Sequence, residues 1–203
     1  MHFSDLNLNK PLLKAIFEKN YETPTEVQQQ TIPLVLAKKD VIASAQTGTG
    51  KTAAFALPIL QLLFHQLDAN KNQKNSRALI VSPTRELALQ INEEFRDYSK
   101  YTKLSSMVVY GGISIDAQKK VLKKGVDILI ATPGRLLDLC KQEIVDLSTI
   151  EILVLDEADL MLDMGFIDDI KKIDILCPNE KQVLLFSATM PSKVVHFAKN
   201  LLS

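Results

Sequence analysis

Net charge is missing from this chain. Its 24 lysines and arginines are matched by 24 aspartates and glutamates, which excludes a polycation that holds nucleic acid by bulk attraction. Any nucleic-acid partner must then be gripped locally, by loops and helix ends. Cysteine is scarce: Cys140 and Cys177 stand far apart with no C-x-x-C pair. Two buried thiols in a reducing cytosol fit that pattern better than a disulfide or a zinc site. The opening residues, Met1-His2-Phe3-Ser4-Asp5, lack the basic-then-apolar order of a secretory leader. The longest apolar stretch, residues 53–64, is too short for a bilayer and contains Pro58 and Gln61. His2, His65 and His196 form no cluster. A soluble, cytoplasmic protein with no membrane partner is expected.

No internal repeat or low-complexity linker divides the 203 residues, and 46% apolar content is enough for a substantial core. A single domain is expected, with a helical prelude over 1–35 and a core over 36–203. Apolar, β-branched runs at 41–45, 78–82, 106–110, 127–131, 151–155 and 182–187 read as strands. Helical patterns at 52–64, 85–100, 114–123, 134–139 and 167–176 alternate with them. Several strand runs are continuously apolar, as strands covered on both faces are. The fold class is therefore α/β: a mostly parallel sheet flanked by helices on both faces, with ligands at the C-terminal ends of the strands. In the prelude, Asn9 and Pro11 start one helix, Asn20 ends it, and Thr25 to Gln28 open the next in capping-box fashion. The polar stretch 67–77 reads as a surface loop.

Between the strand at 41–45 and the helix that follows lies Ala45-Gln46-Thr47-Gly48-Thr49-Gly50-Lys51-Thr52. Strand, glycine-rich turn, Lys-Thr and helix make a phosphate-binding loop. Glycines let successive N–H groups curl around an anion, and the helix dipole favours negative charge there. Lys51 would reach the β- and γ-phosphates and the Thr52 hydroxyl would ligate Mg²⁺. Ala45 replaces the usual first glycine of the pattern, a small-for-small exchange. About a hundred residues on, the run Ile152 to Leu155 ends in Asp156-Glu157-Ala158-Asp159. Asp156 would hold Mg²⁺ through its water shell, and Glu157 would orient or deprotonate the attacking water. A solvated acidic turn is the bland alternative, but the pairing with Lys51 and Thr52 favours metal-assisted phosphoanhydride hydrolysis.

The tetrapeptide Asp156-Glu157-Ala158-Asp159 and its companions resemble the N-terminal RecA-like domain of DEAD-box RNA helicases over essentially the whole chain. Pro83-Thr84-Arg85-Glu86-Leu87-Ala88, Gly111-Gly112, Thr132-Pro133-Gly134-Arg135 and Ser187-Ala188-Thr189 match further motifs in the family's order. The phrasing around the phosphate loop and the acidic motif is most similar to the bacterial RhlE-type branch. Asn20 to Gln28 resembles the family's Q motif, with Phe3 at its upstream aromatic position; Asn20 and Glu26 depart from the common glycine and proline. The resemblance implies ATP as cofactor: a glutamine amide at Gln28 fits adenine's N6/N7 edge, and Phe3 or Tyr21 would stack on the base. Gln28 as a helix cap and Phe3 as a core staple remain open beside those roles.

The resemblance further implies an RNA partner, single-stranded or duplex, held through its sugar-phosphate backbone. Pro83, Thr84, Arg85, Gly111, Gly112, Thr132, Pro133, Gly134 and Arg135 would grip the phosphates. The same threonines read equally as ordinary helix caps. Asp159, Ser187 and Thr189 would couple nucleotide state to that grip. Family helicases carry a second RecA-like domain with an arginine finger, and none follows here. The chain is thus expected to be a piece of a longer ATP-dependent RNA helicase, binding adenine nucleotide weakly and nearly inactive alone. A nucleotide-dependent RNA clamp and a P-loop DNA translocase are the alternatives.

Overall fold

The computed structural model describes residues 1–66 and 75–202. Six strands, β1 (Val41–Ser44), β2 (Ala78–Val81), β3 (Ser106–Val109), β4 (Ile128–Ala131), β5 (Ile152–Leu155) and β6 (Gln182–Ser187), form one sheet. Its order is β1-β6-β5-β2-β4-β3 and every pairing is parallel. Each strand lies within one residue of its sequence expectation. The residues trimmed from the ends still bond: Ala45 N–H donates to Ser187 O at 3.0 Å and Ser82 N–H to Ala131 O at 3.0 Å.

The connecting helices are α1 (Lys10–Glu18), α2 (Glu26–Leu36), α3 (Lys51–His65), α4 (Arg85–Ser99), α5 (Ile115–Leu122), α6 (Pro133–Lys141), α7 (Ala158–Asp163), α8 (Ile167–Leu176) and α9 (Ser192–Leu201). Side chains of a strand alternate between faces, and two cores result. Ile80, Ile130, Val154 and Phe186 pack with Leu12, Ile16, Phe55 and Phe95 on one face. Leu79, Leu129, Leu153 and Leu185 pack with Leu136, Ile170, Ile173 and Phe197 on the other. That double coverage is why the strand runs read as uninterrupted apolar sequence. Among the described residues no helix is long and apolar enough to cross a membrane.

The prelude folds as its caps dictate. Asn9 Oδ1 accepts from Leu12 N–H at 3.0 Å, and Asn20 sits at φ 58° after α1. Gln28 Oε1 accepts from Thr25 N–H at 2.9 Å, closing a capping box at the start of α2. The expectation of a surface loop over 67–77 falls partly outside the described residues, since 67–74 are not among them. Its last residue is no surface group. Arg77 is 2% exposed, with Nε donating to Glu151 at 2.9 Å and Nη2 to Gln66 Oε1 at 2.6 Å. A short helix also went unforeseen: α7 begins inside the acidic tetrapeptide, with Glu157 at φ 54° as its N-cap.

Candidate nucleotide site and strand-end loops

Because all strands are parallel, the loops after them gather at one rim. Lys51 and Thr52, at the start of α3, face a cavity of about 360 Å³ that Asp156, Glu157, Gln28 and Tyr21 also line. Thr47, Gly48 and Gly50 complete its phosphate end, while Ala45, Gln46 and Thr49 face the other side of the loop, beside α2. Groups more than a hundred residues apart in sequence thus share one site. Lys51 Nζ donates to Glu157 Oε1 and lies 3.0 Å from Asp156 Oδ1, with all three side chains buried.

Burial alone would push Lys51 toward its neutral form, but the charge of Asp156 and the contact with Glu157 outweigh it, and its pKa is raised. Burial also dominates at Asp156, lifting its carboxyl to about 6 even though Lys51 opposes the rise. Asp156 Oδ1 is close enough to Lys51 for an ion pair but not aligned as a hydrogen bond, so it is a buried oxygen with no hydrogen-bond partner. A hydrated divalent cation fits that oxygen, with Thr52 on the same wall. The ammonium and two carboxylates carry one net negative charge. A polyphosphate alone would add to it, and Mg²⁺ would offset two of the added charges.

A carboxyl titrating near 6 in the fold and near 3.8 when unfolded binds its proton more readily in the native state. Its ionisation therefore costs stability, progressively as pH rises from about 4 to about 6, and fully above that. Asp156→Asn is expected to raise the melting temperature at pH 7 in EDTA, a gain on the order of 1–3 kcal/mol that shrinks at pH 4. The same variant should lose Mg²⁺-dependent nucleotide affinity. A lower melting temperature at pH 7 would show that the buried charge is not a burden.

Gln28 makes two hydrogen bonds besides lining the cavity. Its Oε1 takes the Thr25 cap and its Nε2 donates to Gly50 O at 3.0 Å. One amide N–H and one lone pair of Oε1 are left over, so the same side chain could still meet adenine. Gly50 has φ +80°, and a Cβ there would stand 2.3 Å from Gln28 Nε2, so glycine is required twice over. Of the two expected aromatic stackers, Tyr21 is 40% exposed, whereas Phe3 is 1% exposed. Both line the cavity, Phe3 from within the core and with little free ring surface, Tyr21 with much more.

The remaining motifs occupy neighbouring strand ends. Thr84 Oγ1 caps α4 by accepting from Leu87 N–H at 3.3 Å, and the Arg85 guanidinium sits 4.8 Å from the Tyr110 ring centroid. Thr132 is the N-cap residue of α6 but makes no side-chain cap bond. Arg135 donates to Ile113 O at 3.2 Å and to Gln118 Oε1 at 3.1 Å. It therefore braces the loop that holds Gly111 and Gly112, leaving Arg85 as the exposed guanidinium of the two. Asp159, Ser187 and Thr189 do meet: Ser187 Oγ accepts from Asp159 N–H at 3.0 Å, and Thr189 Oγ1 donates to Asp159 Oδ2 at 2.8 Å. Although partial burial opposes it, these bonds hold the Asp159 carboxyl below its ordinary value. The sequence reading missed the wall that α4 gives the cavity, through Leu87, Gln90, Ile91, Glu94 and Tyr98. Their helical spacing was the available signal, but it does not say what the face meets.

A parallel sheet whose rim joins a phosphate loop to a strand-end Asp-Glu pair defines a RecA-like P-loop nucleotide-binding domain. The chain belongs to the DEAD/DEAH-box helicase family, whose model, described as "DEAD/DEAH box helicase", matches residues 25–197. It is 48% identical over 200 residues to the DEAD-box ATP-dependent RNA helicase RhpA of Helicobacter pylori, covering 98% of this chain and 39% of that protein. It is 44% identical over 201 residues to the DEAD-box ATP-dependent RNA helicase CshA of Bacillus subtilis, covering 99% and 40%. The crystal structure of a DEAD box protein from the hyperthermophile Methanococcus jannaschii superimposes with a TM-score of 0.92 at 41% identity, over 100% of this chain and 54% of that one. The chain therefore spans about two fifths of the length of the curated relatives it matches.

Proposed function

We propose that this chain is the ATP- and RNA-binding first RecA-like domain of a cytoplasmic DEAD-box RNA helicase. In the intact protein, ATP hydrolysis would drive local duplex unwinding or remodelling of RNA–protein complexes. One observation carries the reading: the rim of the sheet is divided. The loops after β1, β6 and β5 supply the phosphate loop, Ser187 with Thr189, and Asp156 with Glu157. Those after β2, β4 and β3 supply Thr84 with Arg85, Thr132 to Arg135, and Gly111 with Gly112. Neighbouring strands lie about 4.8 Å apart, so the second group spreads over roughly 10 Å, room for successive phosphates of one strand. At the boundary, Asp156 N–H donates to Val81 O at 3.0 Å, tying the metal-side strand to the one that carries Thr84.

Lys51 would trade Asp156 and Glu157 for phosphate oxygens when ATP enters. Glu157, released, would face the γ-phosphate as the group that positions water. Magnesium, when bound, would neutralise the phosphate charge beside Thr52 and Asp156. Turnover would also need the second RecA-like domain, whose arginine is worth about 10³–10⁵ in rate in such enzymes. This domain alone is therefore proposed to bind adenine nucleotide with little RNA-stimulated hydrolysis.

Gly134 provides the test of the RNA half. It is exposed, its φ is not positive, and a Cβ there would meet nothing within 4 Å. Gly134→Ala should therefore leave the melting temperature unchanged or slightly raised. In the longer protein it should weaken RNA binding and RNA-stimulated ATPase several-fold, because a bound backbone would meet the added methyl. Unchanged RNA affinity would remove the rim from the RNA path. Stimulation by DNA of the same sequence as strong as by RNA would favour the translocase reading instead.

A further inference from the structure

On the flank of the domain, away from the rim, the second half of α6 and the end of α8 enclose an open groove of about 500 Å³. Leu137, Cys140, Ile175 and Leu176 supply its apolar surface, and Lys141 and Lys172 stand in it, one from each helix. Ile175 is 80% exposed and Leu176 46%, whereas Ile170 and Ile173 of the same helix are fully buried. Thus α8 has two apolar faces, one spent on the sheet and one left open. Apolar side chains gathered in a groove, unlike ones scattered singly, make a candidate docking surface.

The charged residues that line the groove are of one sign. No carboxylate lines it, although both helices carry aspartates. Asp138 accepts from Gln142 Nε2 at 3.0 Å and Asp174 pairs with Lys181 at 2.8 Å. Lys141 makes no ion pair among the described residues, and Lys172 has only a 3.9 Å neighbour in Asp169. An exposed pair of that length contributes little. The shape restricts the occupant further. Both walls are helices with satisfied backbones, so an added β-strand finds no edge to pair with, whereas a third helix seats its ridge between two others. Two lysines are too few for a membrane surface, where clusters of roughly four to eight are needed.

We infer that this groove docks an amphipathic helix of a partner protein, with apolar anchors one helical turn apart and acidic residues along its flanks. The site is separate from the nucleotide cavity. Residues Pro133 to Arg135 at the start of α6 stay at the rim while the groove opens from Leu137 onward. A docked helix would tether the domain to a partner without covering the nucleotide or the strand-end loops, and this holds whether or not the rim binds RNA.

The experiment is selection from a displayed library of helical peptides, with apolar anchors fixed at i, i+4 and i+7 and the flanking positions randomised. Asp and Glu are expected to be enriched at the flanks. The selected peptide, synthesised and labelled, should bind the chain saturably. Binding should fall at least about tenfold on Ile175→Lys, and likewise on the double change Lys141→Glu with Lys172→Glu. The charge-reversed variant should instead take a peptide whose flanks are basic. All three substituted side chains are exposed, so melting temperature and ADP affinity should not move. Failure to enrich, enrichment of basic or neutral flanks, or binding that survives Ile175→Lys overturns the proposal. A concentration-dependent dimer that Ile175→Lys converts to monomer also overturns it and gives the face to a second copy of the chain. Flotation with anionic vesicles, abolished by charge reversal, does the same in favour of a lipid surface.

Discussion

Replacing Lys51 by alanine is expected to lower affinity for ATP by a factor of 100 or more, measured by titration calorimetry in the presence of Mg²⁺. Among the described residues the ammonium is the one cation in contact with Asp156 and Glu157, and it faces the cavity proposed to take the phosphates. Charge-assisted hydrogen bonds of this kind contribute about 1.5–3 kcal/mol each, and two would be lost. The free protein would suffer too. Alanine leaves two carboxylates buried side by side with no counter-charge, a change that typically costs about 3–5 kcal/mol. Part of that cost would be recovered by protonation of Asp156, which already titrates near 6. ADP, with no γ-phosphate to hold, should lose less affinity than ATP. Equal affinity of wild type and variant for both nucleotides would disprove the loop assignment.

Glu157→Gln separates binding from chemistry. Glutamine has the same shape, and its amide oxygen still accepts from Lys51, so ATP affinity should change little. What disappears is a carboxylate that can order water or take its proton, a role worth about 10²–10⁴ in rate. On the proposed function, phosphate release by the longer protein should fall by that factor while its nucleotide-dependent RNA binding persists. Wild-type turnover would remove Glu157 from the reaction. The backbone adds a reason to expect sensitivity here: Glu157 sits at φ 54°, a conformation that non-glycine residues rarely hold without local constraint.

The sheet was legible because burial on both faces writes strands as unbroken apolar runs, and all six were placed to within one residue. Prelude caps were legible because Asn9, Asn20 and the pair Thr25 and Gln28 have few other uses at those positions. Less visible was α7, whose six residues give less than two turns of pattern and whose first turn carries an acid, Asp159. The phosphate loop and its partner acids could be paired from sequence, since their chemistry needs one another. Their resting arrangement could not. Nothing in the string says that Lys51 lies on Glu157, or that Gln28 is bonded at both ends of its amide. Arg135 shows the same gap: its motif suggests a phosphate ligand, and nothing in the string says that it also braces the loop at Ile113. Contacts of that kind depend on which loop lies beside which, and only topology decides it.

The split of the rim between β1-β6-β5 and β2-β4-β3 has an evolutionary reading. The loops after β4 and β3 can be lengthened, recharged or exchanged without touching a residue that lines the cavity, whereas the loop after β2 leads into α4, which walls it. On the proposed function, two turns could therefore be edited to suit a different polymer, while the hydrogen bond from Asp156 to Val81 ties the two sides of the rim together.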